Sequence, residues 1–218
     1  MKKILISLIL IFLGWSLTAQ EDTLSWKQQF QRHDIQIGFG DPLLPALVTN
    51  QVFRFGKPDY YIEQAAVDWF GPDVYTPGRF FTPTISVGYK YRFAKWFWFG
   101  GTISYTGFYQ SYFDRVSNKK VSTDMTHVIC IIPSVRFSWL NKKYVTLYSG
   151  LSLGYVMDID QYKTTDSRYT DVYHGAAFHL TAVGVHVGKE WYGFAEVGLG
   201  MLGFFQAGFG YNFNCKKK

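Results

Sequence analysis

The sequence predicts an all-β chain: eight antiparallel strands closed into a barrel, with a partly helical first long connection. Eight stretches alternate apolar and polar residues with period 2, the repeat of strands whose two faces meet different surroundings. The connections between them run long, tight, long, tight, long, tight, and a last short one, and the tight ones are short enough to join antiparallel neighbours. Aromatic residues make up 20% of the chain, mostly Phe and Tyr, a high share for a soluble core. A spanning helix needs about 20 apolar residues. No stretch after residue 20 supplies them, so a membrane crossing would have to use strands.

The elements follow in order. Lys2 and Lys3 precede an apolar run from Ile4 to Leu13 and a small or polar stretch from Ser16 to Gln20, which predicts a secretory signal peptide over 1–20, cut after Ala19 or Gln20. Residues 21–32 are polar with scattered Leu24, Trp26 and Phe30, and are expected to form a periplasmic lead. The first strand is His33 to Gly40, with Ile35, Ile37 and Phe39 alternating against Asp34, Gln36 and Gly38. Asp41 and Pro42 then suit a helix N-cap and first turn. Leu43, Leu44, Leu47, Val48, Val52 and Phe55 repeat at helical spacing, which predicts an amphipathic helix from Pro42 to Phe55 folded over the barrel mouth. Ile62, Ala65, Ala66 and Trp69 make a second, weaker helical pattern before the next strand.

Phe81 to Phe93 alternates most cleanly, and Ala94-Lys95 turns the chain into Trp96 to Tyr109. Gln110 to Thr123 reads as a polar loop. Asp124 to Trp139 follows, with a bulge expected at Pro133, which cannot donate a ladder bond. Asn141-Lys142-Lys143 turns into Tyr144 to Asp158, and Ile159 to His174 reads as another polar loop. Gly175 to Gly188 switches parity between Leu180 and Val183, which predicts a bulge around Ala182. Lys189-Glu190 turns into Trp191 to Gly200, and Met201-Leu202 connects to the last strand.

In that last strand Phe205, Ala207, Phe209, Tyr211 and Phe213 alternate with Gln206, Gly208, Gly210 and Asn212 and end on an aromatic residue. It resembles the closing strand of an outer-membrane β-barrel. With the alternating connections, the chain is similar to small outer-membrane barrels of the Bacteroidota, the porin-like outer membrane protein β-barrel family. Its Ala19-Gln20 junction resembles exported proteins of that group. The family usually stops at the aromatic residue, whereas a basic tail, 214–218, follows here. The resemblance implies an eight-stranded antiparallel transmembrane β-barrel over 33–213, integral to the bacterial outer membrane. The apolar parity would face lipid, the tight turns the periplasm, and the long loops, including the partly helical first one, the outside. Its expected partners are outer-membrane lipid, lipopolysaccharide and the barrel assembly machinery, and a monomer is its expected state.

The formal net charge is +6 and falls by two without Lys2 and Lys3, while the aromatics lie on strands rather than among basic residues. Nucleic acid is therefore not an expected partner. Cys130 and Cys215 lie mid-strand and beyond the last strand, too far apart for a disulfide. No zinc spacing and no phosphate loop occurs, so no metal or cofactor is expected. Asp34, Lys90, Arg92, Arg136, His186 and Glu196 fall on inward parities near one end of the lumen. They are expected to form an ion network plugging it, since an eight-stranded lumen is only wide enough for side chains; a proton or ion path is the alternative.

Lipid A deacylases of this size use Ser and His on the lipid-facing rim. Here His179 shares a parity with Thr181, but no His-x-Ser occurs, and Asp171 with His174 is the only hint of an acyltransferase-like set. The expectation is thus a structural or surface-interaction protein without catalysis. An outer-leaflet lipid-modifying enzyme and a small pore are the alternatives. Contacts with lipopolysaccharide or glycans would fall to Tyr112, Arg115, Lys119, Lys120, Tyr162, Lys163, Arg168 and Tyr169 in the outer loops.

Overall fold

The computed structural model describes residues 31–46, 74–75, 78–114, 116–142, 144–164 and 168–214. Strands β1 (His33–Gly40), β2 (Val74–Tyr75), β3 (Arg79–Phe81), β4 (Thr84–Ala94), β5 (Phe97–Asp114), β6 (Lys120–Asn141), β7 (Val145–Thr164), β8 (Arg168–Gly188), β9 (Trp191–Gly200) and β10 (Phe205–Phe213) form one sheet. The short β2 and β3 only extend the edge of β5. The other eight pair antiparallel, each with its neighbours, and β1 pairs with β10 from His33↔Phe213 to Gly40↔Gln206, which closes the ring. The predicted eight-stranded antiparallel barrel is the fold.

Polarity is partitioned inside out. Ile85, Val87 and Tyr89 on β4, Leu151, Leu153 and Tyr155 on β7, and Val197 and Leu199 on β9 are exposed on the outer wall. Ser86, Lys90, Ser152, Thr181, Glu196 and Gln206 are buried in the lumen. Period-2 alternation puts every strand's apolar set on one wall, so a single partition runs around the ring. At one end the outer wall carries interleaved rings: His33 stacks on Phe213, Trp96 stacks on Phe137, and Trp191 lies beside Tyr211.

The bulge at Ala182 forms as predicted. The β8–β9 register slips between Thr181 and Val183, Ala182 and Val183 are both exposed, and the Ser149 hydroxyl donates to the Ala182 carbonyl at 2.7 Å. At Pro133 the expectation fails. Between Ile131↔Tyr155 and Ser134↔Ser152 no residue is added, so Pro133 costs its ladder bond without displacing the chain. The β6–β7 register instead shifts between Ser138 and Leu140. Pro83 acts where the sequence suggested continuity: the 81–93 run breaks into β3 and β4 around 82–83, with Thr82 still hydrogen-bonded to Gly107. The turn expected at Ala94-Lys95 falls one residue later, at 95–96.

The largest correction concerns the two polar loops. Gln110 to Thr123 and Ile159 to His174 are mostly strand: β5 runs on to Asp114 and β6 begins at Lys120, while β7 runs on to Thr164 and β8 begins at Arg168. These segments lack the one-sided alternation by which strands were recognised, because outside the wall both faces are polar. Their ladders continue unbroken from the barrel below, from Tyr109↔Met125 to Ser111↔Thr123 and from Ile159↔Val172 to Lys163↔Arg168. The two hairpins also pair with each other, so a four-stranded sheet rises from one side of the barrel.

Of the predicted helix, residues 43–46 are described and are helical, with the Ala46 amide bonded to the Pro42 carbonyl at 3.0 Å. Asp41 caps it, accepting from the Leu43 amide at 3.2 Å, and also accepts from the amides of Phe204 (2.5 Å) and Phe205 (2.8 Å). One carboxylate thus ties the helix start to the β9–β10 connection. Leu44 is buried and Ala46 packs on the lumen cluster, while Leu43 is exposed, contrary to its place in the expected stripe. The rest of that helix, the second helical pattern, the signal peptide, residues 21–30 of the lead, Cys215 and the lysines of the tail lie outside the described residues.

Candidate functional site

The lumen is where this fold concentrates unusual chemistry. Arg136 on β6 points inward because Val135 and Phe137 take the outer parity. Its Nη1 donates to Asp34 Oδ2 at 3.3 Å, and its Nη2 donates to Gln36 Oε1 at 2.9 Å and Glu196 Oε1 at 3.2 Å. Its guanidinium lies 4.0 Å from the centre of the Tyr148 ring. The Tyr148 hydroxyl donates to Glu196 Oε1 at 2.6 Å and the Thr181 hydroxyl to Oε2 at 3.1 Å, while the Tyr192 hydroxyl donates to Asp34 Oδ1. Each carboxylate is thus matched by the arginine and by neutral donors, which buried charges need.

Glycines make room for the two tyrosines. A Cβ on Gly184 would fall 2.2 Å from the Tyr148 ring, and one on Gly210 would fall 2.3 Å from the Tyr192 hydroxyl. Here a bare inner position is a close approach, not a turn.

Of the six residues predicted to form the network, Asp34, Arg136 and Glu196 meet directly. Arg92 is buried but serves the turns, donating to the Lys95 carbonyl (2.6 Å) and Asn141 Oδ1 (2.7 Å), with Trp98 against its guanidinium. His186 stacks on Tyr192, with Asn212 Nδ2 at 3.4 Å. Lys90 lies across the β1–β4 pair from Asp34 and lines a lumen cavity. The sequence reading missed Gln36, Tyr148, Thr181 and Tyr192, although their inward parity was visible.

Beyond this ionic end, towards the hairpins, the lumen turns apolar. Phe108, Val128, Cys130, Ile132, Val156, Ala177, Met201 and Leu202 form one buried cluster, and Ala46 packs against it. Met201 and Leu202, expected to be a connector, are instead inward-facing plugs at 1% and 4% exposure. Cys130 carries a free thiol within this cluster.

All five histidines are described. His33, His127 and His174 each hydrogen-bond a tyrosine hydroxyl on the outer wall, from Tyr89, Tyr105 and Tyr155. His179 accepts from the Leu202 amide and His186 meets Asn212. Among the described residues none of them bonds a serine or a carboxylate. Among the described residues no group of three His, Cys, Asp or Glu side chains could hold a metal ion.

The predicted surface contacts fall on the two hairpins. Tyr112 pairs with Ser122 on the β5–β6 hairpin, where Lys119 and Lys120 are exposed at the tip; Arg115 lies outside the described residues. On the β7–β8 hairpin Tyr162 faces Tyr169 and Lys163 faces Arg168, and Arg168 donates to Gln161 Oε1 at 2.7 Å. The structure therefore places them along one raised sheet, not in separate loops.

No protein-family model matches the chain, and no curated protein sequence matches it. Among solved structures it is similar to Ail, the attachment invasion locus protein of Yersinia pestis, with a TM-score of 0.45 and 14% identity, covering 84% of this chain and 99% of that one. A similarity of this degree carries neither an activity nor a partner across to this protein.

Proposed function

We propose that this protein is an integral outer-membrane barrel with a plugged lumen and a surface-interaction role, borne by the raised sheet of β5 to β8. The supporting observation is the inverted partition: a closed ring exposes an apolar outer wall and buries charge inside, the pattern a barrel needs in lipid. In water that wall would be a single large apolar surface. The aromatic belt at the turn end suits the interface on the periplasmic side. The hairpins, with Lys119, Lys120, Lys163 and Arg168 exposed, suit the outer side, where phosphates of lipopolysaccharide offer complementary charge.

The filled lumen speaks against a pore, and the tyrosine, asparagine and backbone partners of the histidines speak against a hydrolase. An epitope inserted between Ser117 and Asn118 tests location and orientation together. It should be bound by antibody on intact cells. Antibody access only after permeabilisation would invert the topology, and recovery in the soluble fraction would end the membrane reading. Replacing Lys119, Lys120, Lys163 and Arg168 with Gln should weaken binding to lipopolysaccharide vesicles while leaving the unfolding midpoint unchanged.

A further inference from the structure

We propose that the turn end of the barrel binds an anionic diacyl glycerophospholipid of the surrounding leaflet, with Lys95 and Lys142 on its phosphate and the Trp96–Phe137 pair against its acyl chains. The proposal rests on the membrane reading above. Each of the three connections at this end carries a cation: Lys95 between β4 and β5, Lys142 between β6 and β7, and Lys189 between β8 and β9. Arg32, just before β1, adds a fourth and reaches the Tyr91 hydroxyl at 3.3 Å. The described residues at this end offer two carboxylates. Asp34 is buried and accepts from Arg136 and Tyr192, and Glu190 stands beside Lys189. The connections that carry Lys95 and Lys142 hold no acid at all.

These two connections are fixed to one another. One buried guanidinium, that of Arg92, donates to the Lys95 carbonyl at 2.6 Å and to Asn141 Oδ1 at 2.7 Å. The Ser138 amide donates to the Trp96 carbonyl at 2.7 Å. Strands lie about 4.8 Å apart and each connection spans two, so neighbouring connections stand roughly 10 Å apart. Two extended lysine side chains can close that gap on one phosphate. A backbone already in place lowers the cost of ordering them around it.

The wall beside the two lysines says what the phosphate is attached to. Trp96 follows Lys95 directly and stacks on Phe137, and the two rings are 57% and 43% exposed. Phe93, on the same strand edge, is exposed as well. A ledge of aromatic rings under a pair of cations matches the order of groups in a phospholipid, phosphate above and chains below. Charge then selects among phospholipids. A zwitterionic headgroup brings its own cation to a place that already has two, whereas a net anionic headgroup compensates them.

Phosphatidylglycerol is the probe and phosphatidylcholine the comparison. Protein refolded in detergent micelles and given equal amounts of both should retain phosphatidylglycerol several-fold more often in native mass spectrometry. The double variant Lys95→Gln, Lys142→Gln should lose that preference, while Lys119→Gln with Lys120→Gln at the hairpin tip should keep it. Trp96→Ala should lower retention of both lipids and leave their ratio unchanged. The unfolding midpoint of each variant in pure phosphatidylcholine vesicles reports whether it folds. Insertion into those vesicles also separates the two readings. A protein that does not insert ends the membrane reading and this proposal with it, whereas one that inserts and retains both lipids equally overturns this proposal alone. A preference that survives in the Lys95 and Lys142 variant, or is lost in the hairpin variant, would overturn it too. So would equal competition by water-soluble glycerophosphate, which has no acyl chains.

Discussion

Arg136 and Ile132 stand four residues apart on the inner parity of β6, at 4% and 0% exposure, in opposite surroundings. Arg136 is bound by two carboxylates, a glutamine and a tyrosine ring. Ile132 packs among Val128, Cys130, Val156, Met201 and Leu202. One strand therefore fills one lumen by two kinds of physics. The ionic end holds by mutual compensation: each charge is tolerable only while its partners stay. The apolar end holds by packing, where each side chain contributes separately and a loss leaves only a local void. A closed lumen can use either, provided no charge is left over.

The largest expected effect tests the compensation directly. Arg136→Met strands Asp34 and Glu196 in the lumen and should cost about 3–5 kcal/mol, read from urea unfolding in detergent micelles. Adding Asp34→Asn and Glu196→Gln should recover most of that loss. A triple variant as unstable as the single one would break the comparison, because compensation would then not be what the arginine supplies. At the apolar end Ile132→Ala should cost about 2–4 kcal/mol and Ile132→Val about 1 kcal/mol, a graded response to volume. A cost near zero for Ile132→Ala would show that this end is not packed.

Asp41 joins the apolar plug to the wall, capping the short helix and holding the Phe204 and Phe205 amides. Asp41→Ala should cost about 1–2 kcal/mol, with faster hydrogen exchange at those two amides and no change near Arg136. The smallest effect lies outside the barrel. At the β5–β6 tip the Asp114 carboxylate accepts from the Val116 amide at 2.9 Å and the Ser117 hydroxyl at 2.7 Å, and these bonds hold its pKa below the ordinary aspartate value. A depressed folded pKa means that the turn is favoured above the unfolded value of about 4 and loses this contribution as pH falls through the folded one. Exchange at the Val116 amide, corrected for its intrinsic pH dependence, should therefore lose protection only in acid, and Asp114→Asn should remove that pH response without moving the barrel's unfolding midpoint.

What the sequence determined by itself is whatever repeats locally. Strand parity, the side switch at Ala182, the Asp41 cap and the inward placement of Asp34, Arg136 and Glu196 all follow from which neighbour along the chain is apolar. The apolar half of the lumen left a trace too: Val128-Ile129-Cys130-Ile131-Ile132 is apolar on both parities, the mark of a strand buried on both faces. Only the tertiary structure decided which inward residues meet. Asp34 and Arg136 are 102 residues apart and touch because the register around the closed ring sets them at one height, whereas Arg92, on the same parity, is drawn to Asn141 instead. The hairpins were likewise beyond the sequence, since Gln110 to Thr123 and Ile159 to His174 carry no one-sided pattern. They are strands because their backbones continue ladders begun in the wall, and backbone pairing, unlike burial, leaves little signature in side-chain order.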